Sequence, residues 1–159
     1  MKKFSLEDAV KVCNAIVDNP VEYFSGLAVA VVDDNFDMSS SIDLRPNNEI
    51  PNINYFENPE IFISYLNKGS KLGGVVHDGF HFMKENGQIT HSARYFVPKV
   101  VKNLPINEKC GIRYHSGLYG SVMRGVKFII TISSNTTIYI FKKGEVVYMK
   151  KCKHWKEIK

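Results

Sequence analysis

Residues 26–32 read GLAVAVV, an apolar run with no polar side chain to set against water. It falls far short of the roughly 20 residues needed to cross a bilayer. Because it lacks the apolar–polar alternation of a half-exposed strand, it requires cover on both faces. Residues 127–133, KFIITIS, form a second buried strand, and TIYIF and EVVYM, parted by KKG, read as a closing hairpin. Another hairpin is expected over residues 80–97, turning at ENGQ around Asn86-Gly87. The cover must come from helices. Ser5 and Asp8 make a capping box ahead of Leu6, Ala9, Val10, Cys13, Ile16 and Val17, an amphipathic helix that stops at Asn19-Pro20. Asn58-Pro59 opens a second helix closing on Gly69, and a third lies within residues 110–126. The fold class that follows is α/β (α+β): a mixed central β-sheet flanked by helices.

Length and charge narrow the class further. A chain of 159 residues suits one domain, here residues 1–149, followed by a Lys-rich tail over residues 150–159. From Lys142 onward seven lysines face two glutamates, which accounts for the whole net charge of +5. A nucleic-acid binder would carry its basic residues across a face of the domain. The tail therefore reads as a solvated terminus, and a nucleic-acid partner is not expected. Cys13, Cys110 and Cys152 are widely spaced and odd in number, which argues against a disulfide framework. Glu7 and Asp8 stand where a signal peptide needs apolar residues, so the expected location is cytoplasmic.

Three stretches carry chemistry. In GGVVHDGFHF, residues 73–82, a strand is expected to begin at Val75-Val76 and pass through the segment, with His77 and His81 on one face and Asp78 on the other. Asp-Gly is ordinary turn chemistry, but with His77 it can also form a metal or phosphate corner. The set His77, His81, His91 and His115 matches no standard zinc spacing. GIRYHSG, residues 111–117, sits at a turn entering a helix. There, free backbone N–H groups with Arg113 and His115 suit an anion, although an ordinary helix start reads the same way. SSNTT, residues 133–137, follows a core strand and offers hydroxyl and amide donors, or a plain turn. A Ser-His-Asp triad lacks its GxSxG elbow. The polar excursion over residues 33–55, with Pro46 and Pro51, is expected to be a long loop.

The order of these stretches is more telling than any one of them. His77-Asp78-Gly79, an Asn-Gly hairpin, ITHSARYFVP, CGIRYHSGLYGS and FIITISSNTTIYIFKKGEVV together resemble the diadenylate cyclase (DisA N-terminal) domain family. That family carries an Asp-Gly-Ala motif, then Gly-Thr-Arg-His-Arg opening a helix, then a strand ending in Ser-Glu-Glu-Thr-Gly. The resemblance covers about residues 22–149, with GLAVAVVDD matching the first core strand. It implies a nucleotidyltransferase fold whose members condense two ATP molecules into cyclic di-AMP, two domains meeting face to face as a homodimer, with Mg or Mn at the reacting centre. Carried over by position, it makes Asp78 the acid that activates the attacking hydroxyl, with His77 and Asp78 as metal ligands. Gly79 and Phe80 would adjoin the nucleotide, Gly111 and Arg113 would hold phosphate, and His115 would take the place of the second motif Arg. Ser133, Ser134 and Thr136 would form the later phosphate turn.

The departures fall where charge must be stabilised. The motif Ala is Phe80, the Thr is Ile112, Arg-His-Arg has become Arg113-Tyr114-His115, and the Glu-Glu pair is Ser134-Asn135. Removing one preorganised transition-state donor costs on the order of 10²–10³ in rate. The leading expectation is thus a domain that binds ATP or a related cyclic di-nucleotide with weak or no cyclase activity. The alternatives are an active divergent cyclase and a nucleic-acid or membrane-surface binder using the basic tail. A second carboxylate beside Asp78, such as Asp43 or Glu108, would favour the cyclase.

Overall fold

A computed structural model describes residues 1–44, 50–74 and 76–151. Helix α1 (Leu6–Asp18) starts where the capping box places it: the Asp8 N–H donates to Ser5 Oγ at 3.1 Å and the Ser5 N–H donates to Asp8 Oδ2 at 3.0 Å. Its buried stripe is Ala9, Val12, Cys13, Ile16 and Val17. Helix α2 (Pro59–Gly69) starts at Asn58, whose side chain accepts from the Ile61 N–H at 3.1 Å. Both helices cover one face of the sheet.

Strand β1 (Leu27–Val32) is buried at all six positions, as its composition demands. The other strands are β2 (Ser41–Asp43), β3 (Phe80–Lys84), β4 (Ile89–Phe96), β5 (Val126–Ile132), β6 (Ile138–Lys142) and β7 (Glu145–Lys150), with helix α3 (Ile112–Gly120) between β4 and β5. They form one seven-stranded sheet in the order β2-β4-β3-β1-β5-β6-β7. Only β1 and β3 run parallel; the other neighbours are antiparallel. Alternation along β1 divides the core. Leu27, Val29 and Val31 join Val12, Ile16, Phe62 and Leu66 beneath α1 and α2, whereas Ala28, Ala30 and Val32 join Phe80, Phe82, Phe96 and Ile129 on the opposite face. On that second face Tyr114 and Leu118 of α3 pack with Phe141. The architecture is thus a mixed α/β sheet between helices, as the sequence implies.

Two local expectations are corrected. The strand expected from Val75-Val76 begins only at Phe80; Val75 itself lies outside the described residues. The chain before it turns, with positive φ at Gly73, Asp78 and Gly79 (78°, 76° and 75°), the last two in succession, which breaks an extended run. His77 therefore does not share a strand face with His81. The excursion over residues 33–55 is partly ordered: a 3₁₀ turn (Met38–Ser40) leads into β2, which pairs with β4 and is pinned by an Arg94–Asp43 ion pair at 2.7 Å. A three-residue strand held by a distant guanidinium leaves little trace in local sequence. Pro46 lies outside the described residues, as do residues 152–159 of the tail.

Candidate functional site

The N-terminal ends of β1 and β3, the C-terminal ends of β4 and β5 and the start of α3 meet at one end of the sheet. They enclose a cleft of about 710 Å³, within the range of small-molecule sites. The three motifs, far apart in sequence, contribute Asp78, Gly79 and Phe80 from the first, Gly111 and Arg113 from the second, and Ser133 and Ser134 from the third.

Asp78 is exposed at the tip of its turn, and its Oδ1 accepts the Gly79 N–H at 3.2 Å. Gly79 owes its identity to backbone geometry. At φ 75° an added Cβ would lie 2.5 Å from the Arg94 carbonyl oxygen. Phe80 is buried and packs edge-on against Phe96, so it narrows the floor of the cleft.

Helix α3 opens at Gly111, which supplies no side-chain cap. The first intrahelical bond runs from the His115 N–H to the Gly111 carbonyl, so the N–H groups of Ile112, Arg113 and Tyr114 face the cleft end without a partner in the helix. Arg113 reaches back under β1, where its Nη1 donates to the Ser25 carbonyl at 3.4 Å. It lies against Gly26, where an added Cβ would come within 2.7 Å of the guanidinium carbon. Burial lowers the Arg113 pKa, and the negative charge of Asp78 pulls it partly back. A guanidinium remains protonated under such a shift, so Arg113 enters the cleft as a buried cation.

His115 and Thr136 stand off the cleft wall. The His115 ring is engaged on both sides, with Nδ1–H donating to the Gly111 carbonyl at 2.9 Å and Nε2 accepting the Asn107 N–H at 3.3 Å. It fastens the segment ahead of α3. Thr136 is buried at φ 63° and donates to the Asn135 carbonyl at 2.7 Å. His77 is half-buried in its turn and is not part of the wall. Ser133 Oγ donates to Asn135 Oδ1 and accepts the Thr137 N–H at 3.1 Å. Its hydroxyl proton is thus committed within the turn.

Several wall residues escape a motif reading. Lys109 and Lys151 add positive charge, and Tyr95 and Val97, two apart at the end of β4, present apolar surface while 54% and 57% exposed. Large apolar side chains alternating outward at a strand end were the available signal. Ile112, 82% exposed, extends that apolar rim. Tyr139 also lines the cleft; burial first, and then the adjacent Cys110 thiol, push its phenol up to about 12, so it stays a neutral donor.

The side chains present do not by themselves hold the divalent metal implied by the family resemblance. Mg²⁺ and Mn²⁺ favour carboxylate oxygens. Among the described residues Asp78 is the single carboxylate on the wall; Asp43 is paired to Arg94, and Glu108 lies off the wall. No three His, Cys, Asp or Glu residues converge among them.

The fold, a mixed sheet with a helix start and an Asp-Gly turn meeting at one end, is similar to that of solved structures, a diadenylate cyclase among them. The chain superposes on the DacA diadenylate cyclase of Staphylococcus aureus, solved as an N166C/T172C double mutant, with a TM-score of 0.61 and 13% identity over 96% of this chain and 88% of that one. It is similar also to a hypothetical membrane-spanning protein of Bacillus cereus, at TM-score 0.64 and 14% identity, covering 91% of this chain and 62% of that one. At such identities the likeness is one of fold. No family model matches the sequence, and no curated protein matches it. No helix among the described residues is long and apolar enough to cross a membrane.

Proposed function

We propose that this chain is a nucleotide-binding domain, taking ATP or a related cyclic di-nucleotide in the cleft between α3 and the Asp78 turn, with cyclase chemistry weak or lost. The observation that carries the reading is the convergence of Arg113, Asp78 and the uncapped start of α3 on one cleft. Phosphate suits the helix start and the Arg113 guanidinium. The rim of Tyr95, Val97 and Ile112 offers an apolar surface for a base. Phosphoryl transfer rests on positioning and charge stabilisation. With His115 engaged elsewhere and Ser134-Asn135 replacing the acidic pair, this wall supplies little of that stabilisation.

The test is calorimetric titration of ATP into the wild-type chain and into Arg113→Met, beside an incubation with ATP and Mn²⁺ whose products are identified by mass. Micromolar to millimolar binding that weakens about tenfold or more in Arg113→Met is the expected result. Cyclic di-AMP formation that disappears in Asp78→Ala would overturn the loss of cyclase chemistry. An absence of nucleotide binding would overturn the reading altogether.

A further inference from the structure

We infer that the cleft takes its phosphorylated ligand in the metal-free form, with Arg113, Lys109, Lys151 and the start of α3 neutralising the phosphates and Asp78 standing as the one opposing charge on the wall. The inference rests on the nucleotide reading and sharpens it.

Three observations carry it. The described wall holds three cationic side chains and one carboxylate, so the cavity is positive before any ligand arrives. A divalent cation entering there meets net repulsion, whereas an anion meets net attraction. The helix start adds partial positive charge from three N–H groups on the same side. The lone acid sits exposed at the tip of its turn, its Oδ1 accepting the Gly79 N–H, and no second carboxylate of the described wall joins it in holding a cation. A metal held by Asp78 would set two more positive charges on a wall that already carries three.

The two roles open to Asp78 make opposite predictions. As a metal ligand, its loss weakens nucleotide binding in the presence of metal. As the opposing charge on the wall, its loss removes a repulsion from the phosphates and tightens binding. Asp78→Asn is a mild change at this site, because the side chain is exposed and Asn tolerates the positive φ of 76°.

The experiment is calorimetric titration of ATP into the wild-type chain and Asp78→Asn, each in excess EDTA and in excess Mg²⁺. Unchanged circular dichroism of the variant serves as the folding control. The expected result is wild-type binding at least as tight in EDTA as in Mg²⁺. Asp78→Asn should then bind more tightly by on the order of fivefold in EDTA. Binding that requires Mg²⁺, or tightens tenfold with it and is lost in Asp78→Asn, would overturn the metal-free site while leaving the nucleotide reading standing. No binding in either buffer would overturn both.

Discussion

His81 sets a pH limit on the stability of this fold. On β3 it points away from the cleft toward α2, beside Tyr65 with ring centroids 6.1 Å apart and close against Gly69. It is 4% exposed, and its Nδ1 has no hydrogen-bond partner among the described residues. Burial lowers its pKa from 6.5 to about 4, because a charged imidazole there would lose its hydration without gaining a partner. The unfolded chain therefore takes up a proton near pH 6.5 that the folded chain refuses until about pH 4. Stability from this group is complete above pH 6.5, falls through that window and levels off below it. Linkage between the two values gives a loss of about 2 kcal/mol between pH 7 and pH 5. With a urea m-value of about 2 kcal/mol per molar, the midpoint falls by about 1 M. The assay is urea unfolding at pH 7 and pH 5 for the wild-type chain and His81→Leu. Other titratable groups, His91 among them with its pKa lowered by burial, are common to both chains and cancel in the comparison. The variant should lose about 2 kcal/mol less than the wild type. Parallel losses in the two proteins would refute the assignment of the pH response to His81.

Three further outcomes follow from the packing. Leu118→Ala empties a fully buried position under α3, and thermal unfolding should show a loss of about 3 kcal/mol; a loss under 1 kcal/mol would mean that α3 is not seated on the sheet in this way. Ser5→Ala removes the α1 cap and should lower stability by about 1 kcal/mol in the same assay. Cys13 lies fully buried, and burial pushes its thiol up to about 12. Its labelling by a thiol reagent should follow global unfolding, and rapid native labelling traced to Cys13 by mass would contradict its burial.

Much of the fold was legible because its signals are local. The capping box at Ser5, the Asn58-Pro59 start and the fully apolar β1 each specify an element through neighbouring residues. The turn that carries Asp78 was misread as strand. Val75-Val76 have the composition of a strand, and only the positive φ values at Gly73, Asp78 and Gly79 end that possibility. The edge strand β2 depends on Arg94, some fifty residues away, reaching Asp43. Of the candidate site, the Asp78, Arg113 and Ser133 stretches could be chosen as chemistry-bearing from residue type and order. His115 is a candidate anion donor by its place at a helix start and by its match to the second motif Arg, yet both its ring nitrogens serve the segment before α3.

Sequence by itself determined a buried mixed sheet between amphipathic helices, because apolar periodicity and caps act over a few residues. Tertiary structure decided which side chains face one another. Lys109, Lys151 and Tyr95 join the cleft, and His115 and Thr136 leave it, through strand register and the seating of α3, which are set by contacts between residues distant in the chain. The charge balance of the cleft is a sum over such distant residues, and no stretch of sequence carries it.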